Sequence, residues 1–291
     1  MNNAAIGIFD SGLGGLTVAR EIAQLMPNES LIYVGDQARC PYGPRDSVEV
    51  QDFVYQITDF LQTQKVKLVV IACNTATSCG LDVAKQHFDV PVIGVINAGA
   101  RAAVNSTQTN TVAVIGTQRT IESAAYPRAI CELDSEVEVI SCATPELTNI
   151  VESGIGEELM ECIQNRGEYY HLIAGYLRPL LTQDPDTLLL GCTHYPVLVE
   201  ALRAVVCSEL QKELKIVCTA SEVAVETKCL LESRQQLADN SNLSAIKPAH
   251  VFYTTGDDTE AFAQRGSHIF GARLDKAHYL SLEELTRSKT L

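Results

Sequence analysis

LVVIACNTATS at residues 68–78 and TLLLGCTHYP at residues 187–196 are one pattern used twice. In each, an apolar run of strand length stops at a cysteine, Cys73 or Cys192. Small hydrogen-bonding residues follow at once, Asn74-Thr75 in one and Thr193-His194 in the other. Unbroken apolar runs suit parallel strands covered on both faces. A parallel α/β sheet holds its ligands just beyond the carboxyl ends of its strands, so both thiols are expected where chemistry is done.

On either side of these two stretches, strand and helix patterns alternate. Ala4–Phe9 reads as a first strand, and the glycine-rich turn after it opens a helix that Pro27 helps to end. Leu31–Gly35 is a second strand, Asp46 is a good N-cap for a long helix, and Lys67–Ala72 and Pro91–Ile96 are further strands. The rhythm restarts at Asn97. A short helix over Ala98–Val104 leads to strands at Thr111–Gly116 and Glu136–Cys142, helices at Pro145–Val151 and Tyr169–Leu181, and the strand ending at Cys192. A helix beginning at Pro196, the run KIVCT, another helix and the strand His250–Thr255 follow, then DDTEAFAQRG. The fold class is therefore α/β, with two pseudo-symmetric lobes, each a mostly parallel sheet flanked by helices. Residues 1–97 with 210–291 form the first lobe and 98–209 the second, with the active site expected in the inter-lobe cleft. The polar stretch Arg234–Pro248 is expected to be a solvated loop.

A length of 291 residues suits two cores. The formal charge of -14 argues against nucleic-acid binding, which needs clustered Lys and Arg. No stretch approaches the ~20 apolar residues that span a bilayer, and no signal-like segment opens the chain, so a cytoplasmic protein without a membrane partner is expected. The ten cysteines contain no C-x-x-C pair, which points to reduced thiols. Cys79, Cys131, Cys142, Cys162, Cys207, Cys218 and Cys229 read as core filler. Six scattered histidines offer no metal-ligand spacing, and nothing in the sequence requires a cofactor.

Asp10-Ser11-Gly12-Leu13-Gly14-Gly15 follows a strand and opens a helix, so its backbone N–H groups can hold an anion; alternatively Asp10 simply caps that helix. It is not the dinucleotide fingerprint, because Thr17 stands where that motif needs glycine. Two thiols that are not joined suit a reaction in which one takes a proton from a carbon and the other returns one to the opposite face. The bland alternative is two core cysteines. His194 can assist Cys192 or serve as a satisfied polar residue at a strand end. On sequence alone Asp36 and Glu152 read as solvated acids, and Tyr42-Gly43, between Pro41 and Pro44, as a stiff turn that can present backbone N–H groups.

FDSGLGGLTV (9–18), YVGDQARCPYG (33–43), ACNTAT (72–77), PVIGVI (91–96), GTQRTIES (116–123) and GCTHYP (191–196) together make the chain resemble the cofactor-independent glutamate racemases of bacteria. That resemblance implies interconversion of L- and D-glutamate, supply of D-glutamate for peptidoglycan, no cofactor and a homodimer. It further implies that Cys73 acts on the D enantiomer and Cys192 on the L enantiomer, that Asp10 and His194 assist them, and that Asp36 and Glu152 are supporting acids. Substrate contacts are expected at Asp10, Ser11, Tyr42, Gly43, Asn74, Thr75, Thr117, Thr120, Thr193 and His194. The rival readings are a Cys-His hydrolase or amidase, a racemase of a related amino acid such as aspartate, and an amino-acid-binding protein. The chain departs from the family pattern at Asn97-Ala98-Gly99, after GVI.

Overall fold

The computed structural model describes residues 2–152, 157–210, 214–238 and 248–287. Two compact units emerge, Met1–Val95 with Ala220–Leu291, and Ile96–Thr219.

The first unit is built on a six-stranded, wholly parallel sheet. Its strands are β1 (Ile6–Asp10), β2 (Leu31–Gly35), β3 (Leu68–Ile71), β4 (Val92–Gly94), β9 (His250–Thr254) and β10 (Ala277–Tyr279), with β5 to β8 lying in the second unit. The order across the sheet is β10-β9-β2-β1-β3-β4. Every residue of β1 and β3 is buried, as their unbroken apolar runs require. Side chains alternate between faces, so Val69, Ile71 and Cys73 share one core with Phe9, Val34 and Phe53. The chain after residue 219 returns to this unit through β9, and through a buried ion pair that ties distant segments together. Lys67 Nζ lies 2.5 Å from Glu29 Oε2 and donates to the carbonyls of Asn2 and Gln236.

The second unit holds a four-stranded parallel sheet of β5 (Thr111–Gly116), β6 (Glu138–Ala143), β7 (Thr187–Gly191) and β8 (Lys215–Cys218), in the order β6-β5-β7-β8. Ala113, Ile115, Leu188, Leu190 and Cys192 face one core, whereas Val112, Val114, Leu189 and Val217 face another on the opposite side. The period of two thus carries each thiol onto one particular face of its sheet.

Both units share a topology. In the first, the strands before Val95 run β2-β1-β3-β4; in the second they run β6-β5-β7-β8. Each is second-first-third-fourth in chain order, and each places a cysteine just past its third strand.

Several expectations need correcting. The lobe border expected at 209/210 lies further on, because β8 hydrogen-bonds to β7 and so groups residues up to Thr219 with the second unit. Pro91–Ile96 is not one long strand; β4 stops at Gly94 and a helix, Val95–Ser106, starts without a turn and runs through Asn97-Ala98-Gly99. The structure adds a helix at Glu157–Gln164, the strand β10 and a helix at Leu282–Arg287, which the sequence pattern does not announce. Cys131, Cys207 and Cys229 are exposed on helices rather than filling a core, and Cys79, Cys142, Cys162 and Cys218 are half-buried. Within the polar stretch Arg234–Pro248, residues 239–247 lie outside the described residues. Among the described residues no helix is long and apolar enough to cross a membrane.

Candidate active site

In the first unit, Cys73 is the N-cap of the helix Asn74–His87, and its Sγ accepts from the backbone N–H of Ala76 at 3.4 Å. Asn74 and Thr75, both buried, are the first two residues of that helix. The amides of a helix's first turn carry partial positive charge, so this seat favours negative charge on sulfur. Cys73 also points its thiol at Ser11 Oγ, 3.8 Å away. Ser11 is there because β1 and β3 are sheet neighbours, with Phe9 paired to Ile71. The loop that follows β1 is tightly packed. A Cβ on Gly15 would lie 2.5 Å from Asp10 Cβ and 3.0 Å from Ala72 Cβ, so only glycine fits. Asp10 is wholly buried, and its Oδ2 accepts from the Gly12 N–H at 3.1 Å. The carboxylate thus secures this loop turn, and the N-cap of the helix Leu16–Leu25 is Gly15.

Asp36 is also wholly buried, contrary to its reading as a solvated acid. Its carboxylate accepts from Arg39 Nε at 2.7 Å, from Thr255 Oγ1 at 2.8 Å and, in a short bond, from the hydroxyl of Tyr42. Arg39 is held in turn by Gln56 Oε1 at 2.6 Å and lies over the Phe53 ring, 4.0 Å from its centroid. Burial, followed by the Asp36 carboxylate, pushes the Tyr42 hydroxyl well above the ordinary phenol range, so it remains a proton donor. Asp36 therefore fixes the Tyr42-Gly43 turn, which follows a cis peptide bond between Cys40 and Pro41. The Cys73 sulfur contributes to the same electrostatic environment around Tyr42.

In the second unit, Cys192 directly follows β7. Gly191 before it is pinned: a Cβ there would lie 2.9 Å from the Ile115 carbonyl and 3.0 Å from the Tyr126 ring. No long helix begins at this cysteine; a short 3₁₀ turn, Tyr195–Leu198, follows, with Pro196 at its start. The partners of the sulfur are side chains instead. His194 Nδ1 stands 3.6 Å from Sγ, and the other imidazole nitrogen, Nε2, lies 2.6 Å from Glu152 Oε1. Glu152 is thus engaged rather than merely solvated, while His194 is almost fully buried. Thr148 Oγ1 approaches the same sulfur at 3.9 Å. Burial, with the Cys192 sulfur as the next influence, raises the phenols of Tyr126 and Tyr195 far above their usual range, so both stay neutral beside it.

β5 lies beside β7, so the residues after each strand are neighbours. Thr117, just past β5, caps the short helix Gln118–Glu122; its Oγ1 accepts from the Thr120 N–H at 3.4 Å and sits 3.0 Å from Thr120 Oγ1. Thr120 and Thr193 are buried. The first unit thus gathers Asp10, Ser11, Cys73, Asn74 and Thr75, with Asp36 acting on Tyr42. The second gathers Cys192, His194 and Glu152, with Thr117 and Thr120 on the neighbouring strand end. The sequence pattern does not single out Arg39, Gln56, Thr255 or Thr148. For Thr148 a signal did exist, since it precedes Glu152 by four residues and so shares its helix face.

Residues 7–226 match the family model described as Asp/Glu/Hydantoin racemase. The chain is 44% identical over 266 residues to a glutamate racemase of Exiguobacterium sibiricum, covering 91% of this chain and 92% of that one. Its structure is similar to the crystal structure of a glutamate racemase isoform from Bacillus anthracis, with a TM-score of 0.85, 39% identity and coverage of 97% and 99% of the two chains. It is similar also to a glutamate racemase from Francisella tularensis in complex with D-glutamate, with a TM-score of 0.83, 31% identity and coverage of 97% and 99%.

Proposed function

Because the chain belongs to the Asp/Glu/hydantoin racemase family, we propose that it interconverts L- and D-glutamate by passing the α-proton through Cys73 and Cys192, with no cofactor. The observation that carries this reading is the repetition of one buried cysteine, past the third strand of the same strand order, in both units. The relatives named glutamate racemase supply the substrate.

An α-hydrogen next to a carboxylate is a weak acid, and its removal needs a base close by and relief of the charge that develops. In the L-to-D direction the Cys192 thiolate takes the α-proton and becomes a thiol. The Cys73 thiol gives its own proton to the opposite face and becomes a thiolate. The pair holds one proton before and one after, exchanged in place, and solvent exchange resets it. The D-to-L direction runs the same steps backwards. Asp10 and His194 assist the two sulfurs. Glu152 acts through His194 and Asp36 through Tyr42, as positioning groups. Ser11, Asn74, Thr75, Thr117, Thr120, Thr193 and the backbone of Tyr42-Gly43 bind the substrate's ammonium and carboxylate groups. The product D-glutamate serves peptidoglycan synthesis, in the cytoplasm, and the enzyme works as a homodimer.

The arrangement of Cys192, His194 and Glu152 supports a second reading, a thiol hydrolase with nucleophile, base and orienting acid in line. Incubating the protein, without cofactor or metal, with L-glutamate in deuterium oxide separates the two. Racemisation brings the circular dichroism of the solution to zero and replaces the α-hydrogen with deuterium. Hydrolysis of an amide substrate leaves that hydrogen in place. Cys73→Ala loses racemisation under the proposed function and leaves a hydrolase intact.

A further inference from the structure

The two sulfurs are seated differently. Cys73 caps a fourteen-residue helix and takes a backbone N–H from it. Cys192 is not a helix N-cap: a four-residue 3₁₀ turn, Tyr195–Leu198, separates it from the helix Val199–Leu210, so it does not occupy the first-turn seat that gives Cys73 the Ala76 amide. Besides His194 from its own turn, what reaches it comes from the helix Pro145–Glu152. On that helix Thr148 and Glu152 are four residues apart and project from one face. Glu152 orients His194, and Thr148 places its hydroxyl 3.9 Å from Cys192 Sγ, inside the range of a long hydrogen bond to sulfur. Thr148 is 5% exposed, so water does not compete freely for that hydroxyl, whose other neighbour is the Tyr195 phenol.

The start of the helix is anchored. Tyr195 Oη donates to the Thr144 carbonyl at 2.8 Å and lies 2.8 Å from Thr144 Oγ1, while the Thr144 N–H bonds to the Gly116 carbonyl at the end of β5. Tyr195 is itself three residues past Cys192. The helix that brings Thr148 to the sulfur is therefore clamped to the same turn and the same sheet edge as the sulfur. The other groups facing Cys192 are His194 from its own turn, Tyr195 from the 3₁₀ segment and Tyr126 from the helix Ala125–Leu133, with Glu152 behind His194 and Cys142 on β6 near Tyr195. Of these described residues, the Thr148 hydroxyl and the His194 ring lie within hydrogen-bond reach of the sulfur, at 3.9 Å and 3.6 Å.

We propose that Thr148 is a positioning residue for Cys192, its hydroxyl donating to the thiolate as the Ala76 amide does for Cys73, and that it specifically eases proton transfer between Cys192 and the α-carbon. The statement rests on the racemase reading above. A hydroxyl can rotate to donate when the sulfur is ionised and to accept when it carries the proton, so it serves both halves of the transfer. A threonine also costs less to place here than a second charged group beside His194 and Glu152.

The equilibrium constant of a racemisation is one, so kcat/KM must change equally in the two directions. The position of the lesion is read from isotope effects. Thr148→Val keeps the side-chain shape and removes the hydroxyl. It should lower kcat/KM by about tenfold, the size expected for one hydrogen bond to a charged group. The isotope effect with L-[2-²H]glutamate should rise, because Cys192 breaks that bond. The effect with D-[2-²H]glutamate should fall, because Cys73 breaks that one and is no longer the slower partner. Thr148→Ser should restore both. Equal losses with unchanged isotope effects, or no loss at all, would overturn the proposal. Thr148→Ala carries the same comparison if the valine variant does not fold.

A second readout needs no turnover. Alkylation by iodoacetamide at neutral pH, followed peptide by peptide, should slow severalfold at Cys192 in Thr148→Val and stay unchanged at Cys73. Unchanged alkylation at both would contradict the role of Thr148 even if the wild-type protein proved inactive toward glutamate. A wild-type protein that exchanges no α-hydrogen would instead remove the racemase reading.

Discussion

The imidazole of His194 touches two groups at once, with Nδ1 3.6 Å from the Cys192 sulfur and Nε2 2.6 Å from Glu152 Oε1. One ring thus links a surface-reaching acid to a buried thiol, and its orientation is set from the far side. His194→Asn should lower kcat/KM by about a hundredfold, in the range lost with a general acid or base. Glu152→Gln, which keeps the shape but weakens the hold on the ring, should cost about tenfold. Polarimetry from both enantiomers checks both variants. Wild-type rates in His194→Asn would show the ring to be a space-filling polar residue.

Arg39 provides the positive charge that Asp36 contacts at 2.7 Å in a buried setting. Arg39→Leu leaves that carboxylate with hydroxyl partners alone. Breaking one side of a buried pair typically costs about 3–5 kcal/mol, and urea unfolding should show a loss of that order. Because Asp36 holds Tyr42, substrate affinity should weaken in the same variant. Loss of stability with unchanged KM would detach this network from the site.

Gly15→Ala tests the tight approach after β1. The added methyl would sit 2.5 Å from Asp10 Cβ, so the loop must shift, at a cost of about 1–3 kcal/mol. Activity should fall further than stability, since the shift displaces Asp10 and Ser11. Full activity in a stable Gly15→Ala protein would show that the loop can move without consequence.

Asp186 predicts a pH dependence remote from the thiols. Burial, the largest single influence, raises its carboxyl. The N–H groups of Gln108 and Thr109 and the hydroxyls of Thr107 and Thr187 outweigh burial and bring the carboxyl down to about 2. A carboxyl depressed in the folded state contributes stability above its unfolded value of about 3.9, and that contribution is lost as pH falls toward about 2. Allowing for solvent screening, Asp186→Asn should cost about 1–2 kcal/mol at neutral pH. The gap from wild type should close between about pH 4 and pH 2. A gap that stays constant across that window would contradict the assignment.

Much of this architecture is legible in the chain because parallel sheets announce themselves as unbroken apolar runs. β1, β3, β5 and β7 fall where those runs are, and Cys73 and Cys192 sit just past two of them. Edges are harder to read. β10 is three residues long with two of them exposed, and β8 alternates too weakly to reveal which sheet it joins. Only its pairing with β7 settles that. The surface cysteines mislead for a related reason, since composition says how often a residue type is buried and not which face of a helix it occupies. The Asp36 network was hidden because Arg39, though only three residues away, has no motif that marks it as a partner, while Gln56 and Thr255 come from other segments and meet it only in the folded chain. Thr148 lay within reach, four residues before Glu152, but a threonine in a helix has no motif of its own.

In the proposed function two different thiols handle the two faces of one α-carbon. Its most direct test is the distribution of label in the first turnovers of L-glutamate in deuterium oxide. Two bases deliver a solvent deuteron to the product while unreacted substrate keeps its hydrogen, so D-glutamate should carry deuterium at the α-carbon and the recovered L-glutamate should carry none. Label appearing equally in substrate and product from the start, or product that keeps the original hydrogen, would mean that a single base serves both faces, and the account would be wrong.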